Sequence, residues 1–305
     1  MHSRLWIYWV WKRDDVMMDI SSPKSLESSA AIGQSGSEYS AVKKALILLL
    51  KPSIESLISF GTLLLIFGLW YVATRYQWVT ELFVPSPLSV WRAFTETLLI
   101  GYQGHTLLQH LGSSFYRIII GLGLAFVTAV PLGLLTGVSS KTRAIFDPLI
   151  EFYRPLPPLA YYTLLVLWLG IGNESKITLL YLAAFPPLYV SAMQAVKSVD
   201  PVLIRAARAL GGHNVQVFLY VILPGCLPGI FTGLRIALGV AYSVLVAAEM
   251  VAATSGIGWM VLDAGKFLRS DVVFVGIIVM GVTGMLLDKI IRKLEKLASP
   301  WQSCG

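Results

Sequence analysis

The stretch that decides the fold is DPVLIRAARALGGHNVQVFLYVILP, residues 200–224, which lies between two long apolar runs. Asp200 followed by Pro201 is typical of a helix start, because aspartate caps free N–H groups and proline suits the first helical position. Gly211 lacks a Cβ and therefore suits the left-handed residue that often follows a helix. The stretch predicts a helical hairpin, with one helix ending at Gly211 and a second over about residues 214–223 that stops at the next proline.

The composition places this hairpin in a membrane protein. Of the 305 residues, 56% are hydrophobic and 13% are charged, and the mean hydropathy is +0.70. Soluble domains have about 25% charged residues, and disordered chains combine low hydrophobicity with high charge. One membrane-spanning helix needs roughly 20 apolar residues. We therefore predict an all-α integral membrane protein with six transmembrane helices.

Six apolar segments supply these predicted helices. They cover about residues 56–74, 112–138, 159–172, 177–196, 228–252 and 272–291, and the third of them is the shortest. The predicted organisation is a cytoplasmic, poorly ordered tail, then a six-span domain that contains the hairpin, and finally a short C-terminal tail. The corresponding ranges are 1–44, 45–298 with the hairpin at about 197–224, and 299–305.

The distribution of basic residues predicts the orientation. With both termini in the cytoplasm, 17 of the 24 Lys and Arg residues fall inside or at the inner edge of the membrane. Six, among them Arg117 and Lys176, fall outside or at the outer edge, and one lies within a span. Cytoplasmic loops carry an excess of Lys and Arg, so this topology is favoured and the hairpin is cytoplasmic. The same asymmetry explains the formal net charge of +7 without nucleic-acid binding.

The fifth predicted span carries two ionisable residues, Arg235 and Glu249, with Tyr242 midway between them. Fourteen positions correspond to about 21 Å along a helix and about 40° of rotation, so all three share nearly one face. Charge at membrane depth is costly and often functional, which makes these residues candidates for the substrate pathway. In the alternative, Arg235 extends to the inner headgroups and Glu249 pairs with a cation on another helix. The sequence leaves both open.

Prolines also indicate which predicted segments lie in the interior of the protein. Pro186 and Pro187 lie within the fourth predicted span, and Pro155, Pro157 and Pro158 precede the third. A proline in a helix removes a donor and leaves a carbonyl unpaired, which a membrane protein tolerates only where protein or a cavity satisfies it. We expect these interrupted elements near the pathway, with kinked packing as the alternative.

The sequence offers no chemistry of its own. It has two cysteines, Cys226 and Cys304, no H-E-x-x-H pattern and no nucleophile beside a base. No G-x-x-x-x-G-K-[ST] loop is present to cradle the phosphates of ATP. We therefore expect no enzyme activity, no metal and no cofactor on this chain, and energy must come from a partner or an ion gradient.

The hairpin resembles the coupling-helix signature of bacterial ABC importer permeases, written EAA-x3-G-x9-I-x-L-P. In place of the usual Glu and Ile the chain has Arg205 and Val221, so the charge contact of the first residue must differ. The resemblance implies that the hairpin couples the permease to an ATPase. The residues to which it assigns this role are Arg205, Ala206, Ala207, Arg208, Gly211, Leu223 and Pro224.

The resemblance extends over nearly all of residues 57–301 and is greatest to the nitrate/sulfonate/taurine branch, particularly taurine permeases. It rests there on EFYRPLPPLAY at 151–161 and on residues 245–258. It implies a homodimeric type I ABC importer permease of the bacterial inner membrane. The implied partners are a cytoplasmic ABC ATPase dimer that binds ATP and Mg, and a periplasmic substrate-binding protein. The implied solute is taurine or another sulfonate, with nitrate and bicarbonate left open.

Two alternatives remain at this stage. The hairpin alone is also compatible with a pair of helices that rest on lipid headgroups. The chain as a whole is also compatible with an ion-coupled secondary transporter or an intramembrane enzyme. A secondary transporter more often shows several buried carboxylates or internally repeated halves, which the sequence does not display.

Overall fold

The computed structural model describes residues 54–300, and within that range the regular structure is helical. The 1–44 tail and residues 301–305 of the predicted C-terminal tail lie outside the described residues. In chain order the helices are α1 (Ile54–Arg75), α2 (Pro87–Leu99), α3 (Leu107–Val138), α4 (Ser140–Tyr153), α5 (Pro158–Leu169), α6 (Asn173–Ser198), α7 (Pro201–Ala209), α8 (Asn214–Val217), a π-helical turn (Phe218–Ile222), α9 (Leu223–Ala252), α10 (Ile257–Lys266) and α11 (Ser270–Ala298).

Five helices in the described range are long and apolar enough to cross a membrane: α1, α3, α6, α11 and the continuous run Asn214–Ala252. The predicted third span is the 12-residue helix α5, which at 1.5 Å per residue extends about 18 Å. It follows α4, a helix that the sequence analysis did not predict. The all-α membrane fold is confirmed with five long apolar helices in the described range, and the third predicted span is a shorter apolar helix.

Helix α6 lies at the centre, with α3 on one side and α9 on the other. Contact is close because small residues face it. A Cβ added to Gly133 of α3 would come within 2.5 Å of the Tyr189 carbonyl oxygen, and one added to Gly229 of α9 within 2.7 Å of the Ala195 Cβ. Such small-residue contacts replace hydrophobic driving force between membrane helices. They fix α3, α6 and α9 as one packed unit.

The first helix of the hairpin forms as predicted. The Asp200 carboxylate accepts a hydrogen bond from the Val202 N–H at 2.8 Å, which caps α7. After the helix, Gly211 adopts φ +85°, in the left-handed region. The next N–H, of Gly212, donates to the Ala207 carbonyl at 3.0 Å and closes the turn.

The predicted end of the second hairpin helix is wrong. Helix α8 continues through the π-helical turn into α9, and Pro224 is the second residue of that helix. In the turn, the Leu223 N–H donates to the Phe218 carbonyl, five residues earlier. A wider turn of this kind makes room for the proline ring, whose missing N–H is tolerated in a first helical turn. The hairpin is therefore joined to the fifth predicted span by unbroken helix.

Candidate functional site

One face of α7 is left uncovered by the other residues within 54–300. Ile204 and Ala207 pack against the core, whereas the neighbouring side chains point away from it. Leu210, just after the helix, is 89% exposed. We call this apolar and basic face the hairpin surface. Its members are Val202, Leu203, Arg205, Ala206, Arg208 and Leu210.

The other predicted coupling residues form the support of this surface. Gly211 makes the turn, as described above. Leu223 packs against the core at the start of α9, and Pro224 follows it in the first helical turn. The structure thus brings the predicted set together in one hairpin. Their coupling role remains a prediction.

At the opposite end of α9, Glu249 is buried in a network of hydrogen bonds. One carboxylate oxygen accepts from the Arg117 guanidinium at 2.6 Å and from the Ser114 hydroxyl at 2.8 Å. The other accepts from the Gly258 N–H at 3.0 Å. Only 1% of the Glu249 side chain and 5% of the Arg117 side chain is exposed. A buried charge needs such pairing, because unpaired burial is very costly.

Arg117 extends this network to the loop between α9 and α10. It donates to the Ser255 carbonyl at 2.9 Å and to the Asn173 side-chain oxygen at 2.8 Å. Gly256 in the same loop has φ +122°, and an added Cβ would overlap the Glu249 carboxylate. We call Ser114, Arg117, Asn173, Glu249 and Ser255 the buried polar cluster. It ties α3, α6 and α9 to one loop, and its charges are already paired.

Two neighbours of the cluster are buried and make polar contacts that the sequence did not predict. Lys176, expected at the outer edge of the membrane, is buried, and its ammonium donates to the Ile171 and Gly172 carbonyls at 2.7 and 2.9 Å. His110 is also buried, and its Nδ1 accepts from the Gly256 N–H at 3.2 Å. Sequence reasoning missed both, because their partners are carbonyl and N–H groups that no side-chain pattern reveals.

Arg235 and Tyr242 contact α11. Arg235 lies 3.3 Å from a Glu295 carboxylate oxygen and 3.9 Å from one of Asp288. The Tyr242 hydroxyl lies 2.9 Å from the Met280 carbonyl, to which it can donate. Glu249 follows the second alternative left open by the sequence, since it pairs with a cation on another helix. The pathway role of these three residues stays a prediction.

A cavity of about 420 Å³ lies between the α4–α5 junction, α6 and α9. Arg154 is the charged residue of its lining, and Tyr153 and Tyr161 place their hydroxyl oxygens 2.7 Å apart. The lining contains no carboxylate. Its residues are Tyr153, Arg154, Leu156, Pro158, Tyr161, Leu182, Ala183, Pro186, Pro187, Val190, Ser191, Gln194, Ile236 and Val240.

The prolines of α6 line this cavity without breaking the helix. The predicted interruption is wrong, since α6 is continuous over Asn173–Ser198. Pro186 and Pro187 nevertheless cannot donate to the carbonyls four residues earlier, which belong to Leu182 and Ala183. Both of these residues line the cavity too. The wall of the cavity therefore combines hydrogen-bond acceptors with one cationic side chain.

Long apolar helices, a basic hairpin with an exposed face and a partly open cavity between helices are typical of a polytopic membrane protein of the transporter class. Residues 129–299 match the family described as binding-protein-dependent transport system inner membrane component. The taurine transport system permease protein TauC of Escherichia coli (strain K12) is 47% identical over 249 residues, which cover 80% of this chain and 89% of that protein. The chain belongs to this family, the membrane permeases of ABC importers.

Other similar proteins are also permeases or ABC transporters. The putative aliphatic sulfonates transport permease protein SsuC of Bacillus subtilis (strain 168) is 36% identical, covering 78% of this chain and 85% of that protein. Among solved structures, the methionine ABC transporter MetNI in an inward-facing form has a TM-score of 0.56 at 18% identity. The match covers 63% of this chain and 95% of that one. This likeness confirms the predicted type I ABC importer permease fold.

Proposed function

We propose that the chain is the membrane-spanning subunit of an ABC importer that carries a small anionic or zwitterionic solute, taurine or another sulfonate, from periplasm to cytoplasm. The observation that carries this proposal is the 47% identity, over 80% of the chain, to a protein named as a taurine permease. The nitrate import permease protein NrtB of Synechocystis is also a relative, at 31% identity over 62% of the chain. Because identity to the taurine permease is higher than identity to the nitrate permease, sulfonate is the favoured class of solute.

In this proposal the hairpin surface receives the ATPase. Two copies of the permease bind a cytoplasmic ABC ATPase dimer, which holds ATP and Mg, while a periplasmic binding protein delivers the solute. The exposed Ala206 lets a partner approach the α7 backbone closely, and Arg205 and Arg208 supply charge for an acidic rim. Helix is continuous from α8 into α9. A push on the hairpin is therefore transmitted directly to a membrane span.

The orientation and the subunit role follow from the same proposal. Both termini and the hairpin lie in the cytoplasm, on the side favoured by the Lys and Arg count. The chain performs no catalysis itself. Closure of the ATPase dimer favours an outward-facing cavity that receives the solute from the binding protein, and opening of the dimer favours an inward-facing one.

Co-purification followed by reconstitution tests this function. We expect the permease to bring down a stoichiometric ATPase, and the reconstituted complex with its binding protein to import taurine only when ATP is supplied. Uptake driven by an ion gradient, with no ATPase bound, would contradict the proposal and favour a secondary transporter.

An Arg235→Ala variant tests the pathway role predicted for this residue. If Arg235 contacts the solute, uptake falls at native expression level, whereas normal uptake removes Arg235 from the pathway. Because Arg235 also pairs with Glu295, a Glu295→Gln variant is the matched control. Equal losses in both variants would assign the effect to the α9–α11 contact instead.

A further inference from the structure

We infer that Arg154 is the group that binds the anionic end of the solute inside the membrane domain. This inference rests on the proposed function, because it assumes that the chain carries small organic anions. It assigns a residue that lies outside the face of α9 on which the sequence predicted the pathway.

Charge balance favours Arg154 as the group that binds an anion. The guanidinium of Arg154 has no ion pair or side-chain hydrogen bond among residues 54–300, and no carboxylate lines its cavity. Arg117 and Arg235, by contrast, each have an acidic partner. Arg154 is exposed, so its guanidinium stays hydrated until an anion binds. It can bind an incoming anion without losing an ion pair, whereas Arg117 and Arg235 would first have to give up their acidic partners.

The position of the cavity along α6 and α9 also favours this assignment. On α6 the lining residues run from Leu182 to Gln194, that is, from the middle of the helix toward its hairpin end at Ser198. On α9 they are Ile236 and Val240, near the middle of that helix. The cavity thus extends from the middle of α6 and α9 toward the hairpin end of α6. Its volume of about 420 Å³ falls in the range that holds small organic ligands.

The side chains that line the cavity also suit a sulfonate. A guanidinium binds two oxygens of one oxyanion at once, which suits the three oxygens of a sulfonate. Ser191 and Gln194 add neutral donors. Pro186 and Pro187 deprive the carbonyls of Leu182 and Ala183 of their usual helical donors, so an ammonium group could donate to these oxygens. The cavity therefore suits a small sulfonate, including one that also carries an amine.

A purely structural role would explain Arg154 differently. The residue caps the C-terminal end of α4, where a cation stabilises the helix dipole. A structural role predicts a loss of stability in any variant, with no dependence on the solute. Solute binding predicts that lysine restores part of the uptake lost with a neutral side chain.

The test uses the reconstituted complex with its ATPase and binding protein. Initial uptake of taurine, an alkanesulfonate and nitrate is measured for wild type, Arg154→Gln and Arg154→Lys. We expect Arg154→Gln to lower the maximal rate of anion uptake about tenfold or more, as for loss of a charge-assisted hydrogen bond. Half-saturation by the loaded binding protein should be unchanged, and Arg154→Lys should be intermediate. The exposed Arg292 supplies the matched control, and Arg292→Gln should resemble wild type.

Uptake by Arg154→Gln within twofold of wild type would overturn the inference while leaving the proposed function intact. If wild type imports none of these anions, the proposed function itself fails. Should Arg154→Gln not assemble with the ATPase, Gln194→Glu replaces it, because a carboxylate on the exposed Gln194 would compete for Arg154. We then expect reduced anion uptake, and unchanged uptake would contradict the inference.

Discussion

Glu249→Ala is expected to destabilise the folded permease by about 3–5 kcal/mol, the usual cost of removing one partner from a buried ion pair. The variant leaves the Arg117 guanidinium, which is 5% exposed, without its carboxylate. It also deprives the Ser114 hydroxyl and the Gly258 N–H of their acceptor. The measurement is the free energy of unfolding in detergent, from denaturant titration of wild type and variant.

Two controls test whether the lost stability comes from leaving one buried charge without its partner. The double variant Arg117→Leu with Glu249→Leu removes both charges, and we expect it to recover much of the lost stability. Arg292→Ala breaks the exposed pair with Asp288 at 2.7 Å, which should cost less than about 1 kcal/mol. A Glu249→Ala variant as stable as Arg292→Ala would contradict the structural role given to the buried polar cluster.

Ala206→Trp is expected to weaken assembly with the ATPase and, with it, to lower ATP-driven uptake. Ala206 is exposed on the hairpin surface, so the larger side chain leaves the fold of the permease unchanged. At a close-packed interface the added volume costs about 1–3 kcal/mol, which weakens binding roughly 5- to 150-fold. Co-purification of the ATPase and uptake by proteoliposomes measure the effect.

Matched variants show whether the loss belongs to the interface. Ala206→Ser keeps the side chain small and should assemble normally. Ile100→Trp places the same large side chain at an exposed position at the end of α2, outside the hairpin, and should also assemble. Normal assembly of Ala206→Trp would mean that the ATPase does not contact this part of α7.

Local features of the fold could be predicted from the sequence because they depend on neighbouring residues. Apolar run length located each long helix, although the fifth begins 14 residues before and the sixth ends seven residues after the predicted bounds. The Asp200 cap and the Gly211 turn followed from side-chain chemistry. The end of the second hairpin helix was missed because proline was treated as a stop. Its effect depends on the preceding π turn, which has no sequence signal of its own.

Features that depend on distant contacts were beyond the sequence. Glu249 was recognised as costly at membrane depth, but its partner Arg117 is 132 positions away and was counted among the outer charges. Arg154 was noticed only within a motif. Only the structure shows that Arg154 lines a cavity between α4, α6 and α9 in which no carboxylate is present. The same three-dimensional contacts show that Arg235 is already paired.

The central claim is that the hairpin surface binds the ATPase inside the cell, and photocross-linking from position 210 tests it most directly. Leu210 is 89% exposed, so a photoreactive benzoylphenylalanine fits there without disturbing the fold. Irradiation of whole cells should yield one major adduct between the permease and the ATPase subunit. Adducts with lipid alone, or with a periplasmic protein, would contradict the claim.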